Sequence, residues 1–275
     1  LTAEEFTRQV GAHGLAVGFG DTGTVGIGGI TLGGGVGYLS RKYGLTIDSL
    51  LAADVVTADG QLRRADAESN PDLFWALRGG GGNFGVVTRF KFRLQPVEQA
   101  YGGMLILPAT ADVVTGFLEA AETAPEELST IVNVMVAPPM PFVPAEHHGK
   151  LIIMALVMFV GSPDDALRAL QPFRTLATPL ADMLKPMPYT DTYPPEQPGY
   201  HPLGISRTMF TDSFNRTKAE RMLKELSSVR AMMAVTQLRV LGGAISRVTN
   251  DATAYAHRQR RIMVNVAALY QDPAD

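Results

Sequence analysis

The sequence contains no cysteine among its 275 residues. This absence excludes a disulfide framework, a thiolate metal site, a cysteine nucleophile and a cysteinyl bond to a cofactor. Positive charge is not in excess, since 24 Lys and Arg stand against 27 Asp and Glu, and a net charge of −3 argues against a nucleic-acid-binding protein. The longest apolar run, residues 151–160, has half of the ~20 residues that cross a bilayer, so we expect no membrane segment.

The composition is that of a globular protein. Hydrophobic residues make up 46% of the chain and charged residues 19%, which is typical of a folded protein and not of a disordered one. Domains usually have about 100–200 residues, so the length indicates one large domain or two smaller ones. Residues 1–6 contain no Met and no basic segment followed by an apolar one, so no signal peptide is visible and a cytoplasmic location is the expectation.

Periodicity and capping signals predict an α+β fold. Thr2 and Glu5 have the capping-box pattern that opens a short helix ending near Gly11 or Gly14, and Pro71 marks the first turn of a helix that runs to about Arg78. Further helices are predicted at 110–123, 163–176 and 215–228, a helical turn at 39–43, and strands at 51–57, 61–64, 84–94, 129–137, 150–160, 204–210, 234–242 and 261–269. Alternating strands and helices favour helices packed on a sheet. A break at 95–97 separates the predicted regions 1–97 and 98–275.

Glycine is concentrated in two short windows. Ten of the 28 glycines lie within residues 18–37, and five more lie within residues 79–85. We expect the first window to be mostly loop, because so much glycine weakens both helix and strand. Consecutive backbone N–H groups in such loops form an anion-binding concavity that suits a pyrophosphate. Two such loops at separate strand ends would converge on one elongated ligand.

The residues alone leave other interpretations of these windows open. In the first interpretation, the glycines form tight turns at a crowded sheet edge. A helix end capped by glycine explains part of the second window. A nucleotide-binding fold of Rossmann type is another, but Thr31 stands where the third glycine of the fingerprint after Gly26 and Gly28 belongs. A Walker loop is excluded because no Gly-Lys-Ser or Gly-Lys-Thr follows the glycines.

Two long blocks resemble a known family. The first is VGIGGITLGGGVG at 25–37, with SRKYGL at 40–45, Asp48 and VVTADG at 55–60, and the second is NPDLFWALRGGGGNFGVVT at 70–88. In this order they resemble the FAD-binding region of the berberine bridge enzyme-like oxidases, which have an FAD domain of the p-cresol methylhydroxylase/vanillyl-alcohol oxidase (PCMH) type. The resemblance is dense over 14–97 and looser beyond, where the segments 238–248, 251–257 and 272–274 are similar to the family's substrate domain.

The resemblance implies where FAD would lie. Residues 20–29 would follow the isoalloxazine and pyrophosphate with their backbone amides, residues 33–37 would continue that wall, and residues 82–87 would approach the adenosine end. The implied cofactor-binding residues are Gly20, Asp21, Thr22, Thr24, Val25, Gly26, Gly28, Gly29, Leu32, Gly35, Gly37, Gly82, Gly85 and Val87. The implied fold is the second half of a PCMH-type FAD domain over 1–97, followed over 98–275 by a substrate domain with an antiparallel sheet covered by helices.

The sequence departs from the family pattern in three respects. Thr22 stands where bicovalent members have a flavin-linking cysteine, so that bond is excluded, and Ile30 stands where many members have a histidine. Family members also have an N-terminal half of the FAD domain, with a histidine that commonly tethers the flavin, and a C-terminal tail. Neither segment is present in this sequence. We therefore expect the chain to be a piece of a longer protein.

The resemblance implies a flavin-dependent oxidoreductase. In the intact enzyme, FAD would take a hydride from a C–H bond next to an alcohol or amine of a small-molecule substrate, and dioxygen would reoxidise it. Nucleic acid and membrane are not expected partners. The alternative is a non-catalytic scaffold that has lost the flavin and acts as a homo-oligomer or with a partner chain, because the missing half would expose sheet edges and apolar surface.

No catalytic residue is assigned from the sequence. Bases in this family are often Tyr or Glu, and the candidates that the sequence does not distinguish are Tyr193, Tyr200, Tyr255 and Tyr270. His201 follows Tyr200 and precedes Arg207, an arrangement consistent with either a substrate pocket or ordinary packing. No metal site is expected, since adjacent His147 and His148 favour an exposed loop. The basic run 258–261 favours a solvated surface, because it lacks interleaved aromatic residues.

Overall fold

The structure, a computed structural model, describes residues 1–97, 100–193, 203–229 and 231–270. These residues divide into two units. The first consists of the described residues of Leu1–Ala100, Met187–Glu196 and Gly242–Gln259, and the second of those of Tyr101–Pro186, Gln197–Leu241 and Arg260–Asp275. The first unit is therefore discontinuous in sequence, and two segments that the sequence analysis placed in the second region pack within it.

The helices and strands are, in chain order, α1 (Ala3–Gly11), β1 (Leu15–Ala16), α2 (Ile27–Leu32), α3 (Ser40–Tyr43), β2 (Leu50–Val56), β3 (Leu62–Asp66), α4 (Pro71–Leu77), β4 (Val86–Phe92), β5 (Gln95–Pro96), β6 (Ala100–Pro108), α5 (Ala111–Thr123), β7 (Leu128–Val136), β8 (Leu151–Phe159), α6 (Pro163–Arg174), β9 (Ala181–Asp182), β10 (Lys185–Met187), β11 (Leu203–Thr211), α7 (Arg216–Ser228), β12 (Met233–Val240), α8 (Ala244–Arg247) and β13 (Ile262–Tyr270). Short 3-10 turns lie at Thr46–Asp48, Gly81–Phe84, Ala145–His147 and Tyr189–Thr192.

The first unit contains a three-stranded antiparallel sheet in the order β3-β2-β4. Its apolar side chains pack with those of α4 in one core, which contains Leu50, Ala53, Val55, Ala65, Phe74 and Leu77. On β4, Phe90 and Phe92 are half-buried while Arg89 and Lys91 are exposed, so this strand has an apolar face and a basic face. A small sheet of β1 and β5 completes the strands of this unit.

The helix α1 fixes the first glycine window from one side. Its capping box is confirmed, since the Glu5 N–H donates to Thr2 Oγ1 at 3.2 Å and the Thr2 N–H donates to Glu5 Oε2 at 2.9 Å. Just ahead of this helix the chain pairs with the loop, because the Ala3 N–H donates to the Val25 carbonyl at 2.9 Å. The Glu4 N–H likewise donates to the Gly23 carbonyl at 2.9 Å. The loop is therefore held by backbone hydrogen bonds.

The second unit is an antiparallel sheet of eight strands in the order β10-β6-β8-β7-β12-β13-β11, with β9 also paired to β6. The helices α5, α6 and α7 bury their apolar faces on one side of this sheet, in a core that includes Phe117, Phe173, Leu226, Leu238 and Val264. The α+β prediction and the antiparallel sheet covered by helices are confirmed. Among the described residues, no helix has the length and apolar character needed to cross a membrane.

Several elements were not predicted from the sequence, namely β1, α2, β5, β6, β9, β10 and α8. The window 18–37 is mostly loop, as predicted, but Ile27–Leu32 within it form the helix α2, because tertiary packing overrides the low helix propensity of glycine. The strand β6 was not predicted. Gly102 and Gly103 interrupt its apolar pattern, and Gly103 has a positive φ of 134°, so it does not show the periodicity of an ordinary strand.

Candidate functional site

The structure brings the two glycine windows together. The helix α2 of the first window packs against the turn Gly81–Phe84 of the second. The Gly79 N–H also donates to the Leu32 carbonyl at 3.1 Å, which joins the windows through the backbone. The predicted convergence of two glycine-rich segments is therefore present in the first unit.

At four of the predicted site glycines, neither packing nor backbone conformation requires glycine. A Cβ atom added to Gly26, Gly29 or Gly82 would meet no heavy atom within 4 Å, and one added to Gly28 would come no closer than 3.7 Å to Phe90. None of the four has a positive φ. Two of them lie inside α2, where each glycine costs ~1 kcal/mol relative to alanine. An open surface made of unneeded glycines fits the close approach of a ligand to the backbone.

The other predicted site glycines are explained by packing. A Cβ on Gly37 would collide with the Phe19 carbonyl, and one on Gly85 with the Val56 carbonyl. Gly35 has a φ of 80° and faces the Thr46 side chain. At Gly20 an added Cβ would come within 2.7 Å of Ile30 Cδ1, which is the movable end of a side chain. These four residues shape the loop, and their predicted contact with FAD stays a prediction.

The remaining predicted site residues occupy two environments. Thr22, Thr24 and Val25 are exposed on the loop before α2, and Asp21 is half-buried beside them. Leu32 and Val87 are instead packed against the apolar core of the three-stranded sheet. The exposed residues thus lie next to the open glycines Gly26 and Gly29 in sequence, whereas these two apolar side chains contribute to the core.

Tyr255 packs against both glycine windows. The sequence did not distinguish it from the other candidate tyrosines. Its ring would lie 2.7 Å from a Cβ on Gly34, and its own Cβ would lie 2.6 Å from a Cβ on Gly79. Both glycines have positive φ. The side chain is buried, and burial raises the pKa of Tyr255 to about 12. This tyrosine therefore packs as a neutral phenol against both glycine segments, which is a structural role.

The ionisation of Tyr255 predicts how stability depends on pH. Because the folded pKa of about 12 lies above the ordinary value of 10, the buried phenol contributes stability that is complete below pH 10 and lost as the pH rises toward 12. We expect the urea midpoint of the first unit, followed by far-ultraviolet circular dichroism, to fall between pH 10 and 12. Tyr255→Phe should make that fall shallower. An equally steep fall in this variant would contradict the prediction.

A buried ion pair holds the segment that carries Tyr255. Arg258 is fully buried, and its two Nη atoms donate to the Asp48 carboxylate at 2.7 and 2.8 Å. Nη2 also donates to Thr253 Oγ1 at 2.9 Å, and Asp48 Oδ2 accepts the Leu45 N–H at 2.7 Å. The prediction of a solvated surface at 258–261 is therefore wrong for Arg258, because a bidentate carboxylate compensates its burial. The other charged ends of this run, on Arg260 and Arg261, are exposed.

Tyr193 supports the first window from within the first unit. Its hydroxyl donates to the Gly20 carbonyl at 3.3 Å, and its ring approaches Gly23, where an added Cβ would lie 2.9 Å from the Tyr193 Cβ. Burial raises the pKa of Tyr193 well above its usual range. Of the other candidates, Tyr270 ends β13 in the second unit, while Tyr200 and His201 lie outside the described residues. Two of the four tyrosines therefore belong to the packing of the glycine windows.

The histidine pair is less exposed than predicted. His147 and His148 are both half-buried, and His148 Nε2 lies 3.0 Å from the Val143 carbonyl and 3.3 Å from the Met140 carbonyl. These contacts give the ring a structural role in closing the turn before β8. In the part of the chain that the structure describes, no group of three or more His, Asp or Glu residues is arranged to hold a metal ion.

The sequence did not reveal the residues of the site whose contacts join segments that are far apart in the chain. Asp48 and Arg258 are 210 positions apart. The signal for Asp48 is a single acidic residue within the apolar stretch 45–52, where a charge needs a partner if buried. Thr46, whose hydroxyl donates to the Gly18 carbonyl at 2.6 Å, and Tyr255 carry no comparable signal.

Comparison with known proteins agrees with this geometry. Residues 1–66 match the family model described as an FAD binding domain. The FAD-linked oxidoreductase YvdP of Bacillus subtilis is 33% identical over 264 residues, which cover 91% of this chain and 56% of YvdP. The match extends beyond the glycine windows into the second unit.

Solved structures show the same fold. BBE-like 1 of Physcomitrella patens superposes with a TM-score of 0.83 at 21% identity, over 100% of this chain and 62% of that one. The xylooligosaccharide oxidase of Myceliophthora thermophila, solved with xylobiose, has a TM-score of 0.81 at 25% identity, over 99% and 61% of the two chains. The chain thus spans between 56% and 62% of the length of these three proteins.

Proposed function

This chain belongs to the berberine bridge enzyme-like FAD-linked oxidoreductases and has FAD as its cofactor, and from this premise we propose the following division of work. The first unit supplies the FAD-binding surface, and the second unit supplies the substrate site of the complete enzyme. Its reaction is the oxidation of a small molecule at a C–H bond next to an alcohol or amine, with dioxygen as the final acceptor. Bound FAD supplies the hydride acceptor.

The observation that carries this proposal is the open glycine surface. Gly26, Gly28, Gly29 and Gly82 have room for a side chain and no backbone need for glycine. In a protein that had lost its cofactor, nothing would require glycine at these positions. Alanine at the two positions within α2 would stabilise the helix. The non-catalytic scaffold is therefore not favoured.

The backbone at this surface suits the phosphate groups of FAD. The Ile27 N–H at the first position of α2 donates to the Leu1 carbonyl at 3.1 Å, and the N-cap Gly26 has no side chain to cap the N–H groups that follow in the first turn. Anionic groups are favoured at such a helix end by hydrogen bonding and by the helix dipole. No Lys or Arg is required for this kind of binding, and residues 20–29 contain neither. Asp21, the acidic residue of that segment, is half-buried.

Gly29→Ala tests the proposal because it separates FAD binding from folding. The added methyl group meets no protein atom and raises helix propensity by about 1 kcal/mol, so the free energy of unfolding should stay equal or increase. The same methyl group lies where the cofactor approaches, so we expect FAD affinity to fall at least ~10-fold. Flavin absorbance measures binding, and the emission of Trp75, which is the single Trp and lies in the first unit, measures unfolding in urea.

Gly60→Asn is the matched control. Gly60 has a φ of 77° at the turn between β2 and β3, with no heavy atom near its added Cβ, and Asn tolerates this conformation. FAD affinity and stability should both stay unchanged in this variant. Unchanged FAD affinity in Gly29→Ala, or a protein that stays colourless when FAD is added, would contradict the proposed surface.

A further inference from the structure

The loop before α2, residues 20–26, is held to the rest of the first unit through its carbonyl groups. The Gly23 and Val25 carbonyls accept the N–H groups of the first two residues of α1, each at 2.9 Å. A third carbonyl, that of Gly20, accepts the Tyr193 hydroxyl at 3.3 Å. Three peptide groups of this loop are therefore fixed by contacts with the protein.

The N–H groups of the same loop are not used in this way. Among the described residues, none accepts a hydrogen bond from the backbone N–H of residues 22–26. The peptide bonds are trans, and in a trans peptide the N–H points opposite to the C=O. Thr24 and Gly26 share peptide groups with the anchored carbonyls of Gly23 and Val25, so their N–H groups point away from α1.

Free N–H groups in this loop suit a ligand that carries oxygen atoms. Backbone N–H groups removed from water normally have a partner, because an unpaired one costs free energy. Successive N–H groups of a turn form a concavity that binds anions and other acceptors. Thr22, Thr24, Val25 and Gly26 are exposed, so the N–H side of the loop is open. FAD offers acceptor oxygens on its pyrophosphate and on its flavin ring.

Tyr193 is the side chain that anchors this loop from a distant part of the sequence. It is buried, and its Cβ would lie 2.9 Å from a Cβ added to Gly23. The 3-10 turn Tyr189–Thr192 directly before it packs against α1. The Tyr193 hydroxyl and the start of α1 therefore belong to one support behind the loop.

Ring packing alone does not account for the Tyr193 hydroxyl. Tyr189, in the same turn, is also buried, and its hydroxyl forms no hydrogen bond with a described residue. A buried hydroxyl without a partner costs free energy, so phenylalanine would serve for packing at such a position. The hydroxyl of Tyr193 differs because it has a defined acceptor, the Gly20 carbonyl.

We propose that Tyr193 is a positioning residue of the FAD site, whose hydroxyl holds the Gly20 carbonyl so that the N–H groups of residues 22–26 face the cofactor. This inference rests on the proposed function and extends the FAD site to a residue outside both glycine windows. The hydroxyl acts through the backbone of the loop and does not touch FAD.

Tyr193→Phe tests this inference, because it removes the hydroxyl and keeps the ring. We expect the Kd for FAD, measured by flavin fluorescence, to rise about 5-fold, the scale of one neutral hydrogen bond. The visible circular dichroism of the bound flavin should also change, which loss of packing far from the cofactor would not cause. Far-ultraviolet circular dichroism verifies that the variant is folded.

Tyr189→Phe is the matched control, since it makes the same change four residues earlier in the same turn. Because the Tyr189 hydroxyl has no hydrogen-bond partner among the described residues, the FAD affinity and the flavin spectrum should both stay unchanged. The urea midpoint of this variant should stay equal or rise.

Hydrogen exchange followed by mass spectrometry tests the use of the N–H groups directly. In the wild type, saturating FAD should slow the exchange of the amides of residues 22–26 at least ~10-fold, because they then donate to the cofactor. In FAD-saturated Tyr193→Phe this protection should be smaller.

Two results would overturn the inference. One is equal FAD affinity in folded Tyr193→Phe and the wild type, and the other is exchange at residues 22–26 that bound FAD does not slow. A wild-type protein that binds no FAD would refute the proposed function as well. FAD binding that Gly29→Ala weakens and Tyr193→Phe leaves unaltered would refute this inference alone.

Discussion

Arg258→Met is expected to lower the free energy of unfolding of the first unit by about 3–5 kcal/mol. The substitution removes one partner of a bidentate ion pair in which Arg258 is fully buried and Asp48 is 12% exposed. A buried pair contributes little net stability, but removing one partner leaves the other as an uncompensated buried charge. Urea unfolding followed by Trp75 emission measures the effect, because Trp75 Nε1 donates to the Asp251 carbonyl at 2.6 Å in the segment that Arg258 anchors.

Two further variants identify the cause of this destabilisation. Arg260→Met removes an ion pair to Asp212 in which both side chains are about half exposed, so the change should be below about 1 kcal/mol. Combining Asp48→Asn with Arg258→Met removes both charges and should destabilise less than the sum of the two single variants. A simple sum of the two effects would show that the charges act independently and would contradict this account.

Gly37→Ala is expected to prevent the first unit from folding. A Cβ at this position collides with the backbone carbonyl of Phe19, which is fully buried, so neither group has room to move. The Gly37 N–H also donates to the buried Ser40 Oγ at 2.8 Å, which fixes this part of the loop. We expect a loss of more than about 4 kcal/mol, the exceptional end of single-residue effects, visible as the loss of the cooperative Trp75 transition.

Gly29→Ala is the matched comparison for this prediction, because both residues lie in the same window and both variants add one methyl group. The methyl group of Gly29→Ala meets no heavy atom within 4 Å, so this variant should keep the Trp75 transition. If Gly37→Ala unfolded at the same urea concentration as Gly29→Ala, the loop would have to adjust its backbone, and the division into packed and open glycines would be wrong.

Local signals predicted most of the fold. Thr110, Ser162 and Asn215 each accept the N–H of the third residue of the following helix, which is why α5, α6 and α7 begin where the sequence indicated. The strand β6 was missed because Gly102 and Gly103 break its pattern locally. Its place is set by antiparallel pairing with β8, which is information that a single strand does not contain.

The candidate site could be predicted only in part. Glycine density indicated a ligand surface, and the family resemblance implied that FAD lies there. The composition does not distinguish an open glycine such as Gly29 from a packed one such as Gly37. Whether a glycine is needed for packing or left open to a ligand depends on the atoms opposite it, such as the Phe19 carbonyl. The roles of Tyr255 and Arg258 depend on contacts with segments that lie far away in sequence, so no local pattern reveals them.

The discontinuous first unit has a consequence for synthesis on the ribosome. The glycine windows are complete by residue 85, whereas Tyr255 and Arg258, which pack against and anchor them, emerge only after the whole of β6 to β12. At about 5–20 residues per second, this delay is roughly 10–30 s. During that interval the windows lack their last packing partners, and the sheet of the second unit lacks β13, the strand that pairs with β11 and β12. Nascent-chain stalling before residue 255 should therefore leave the glycine segments accessible to protease.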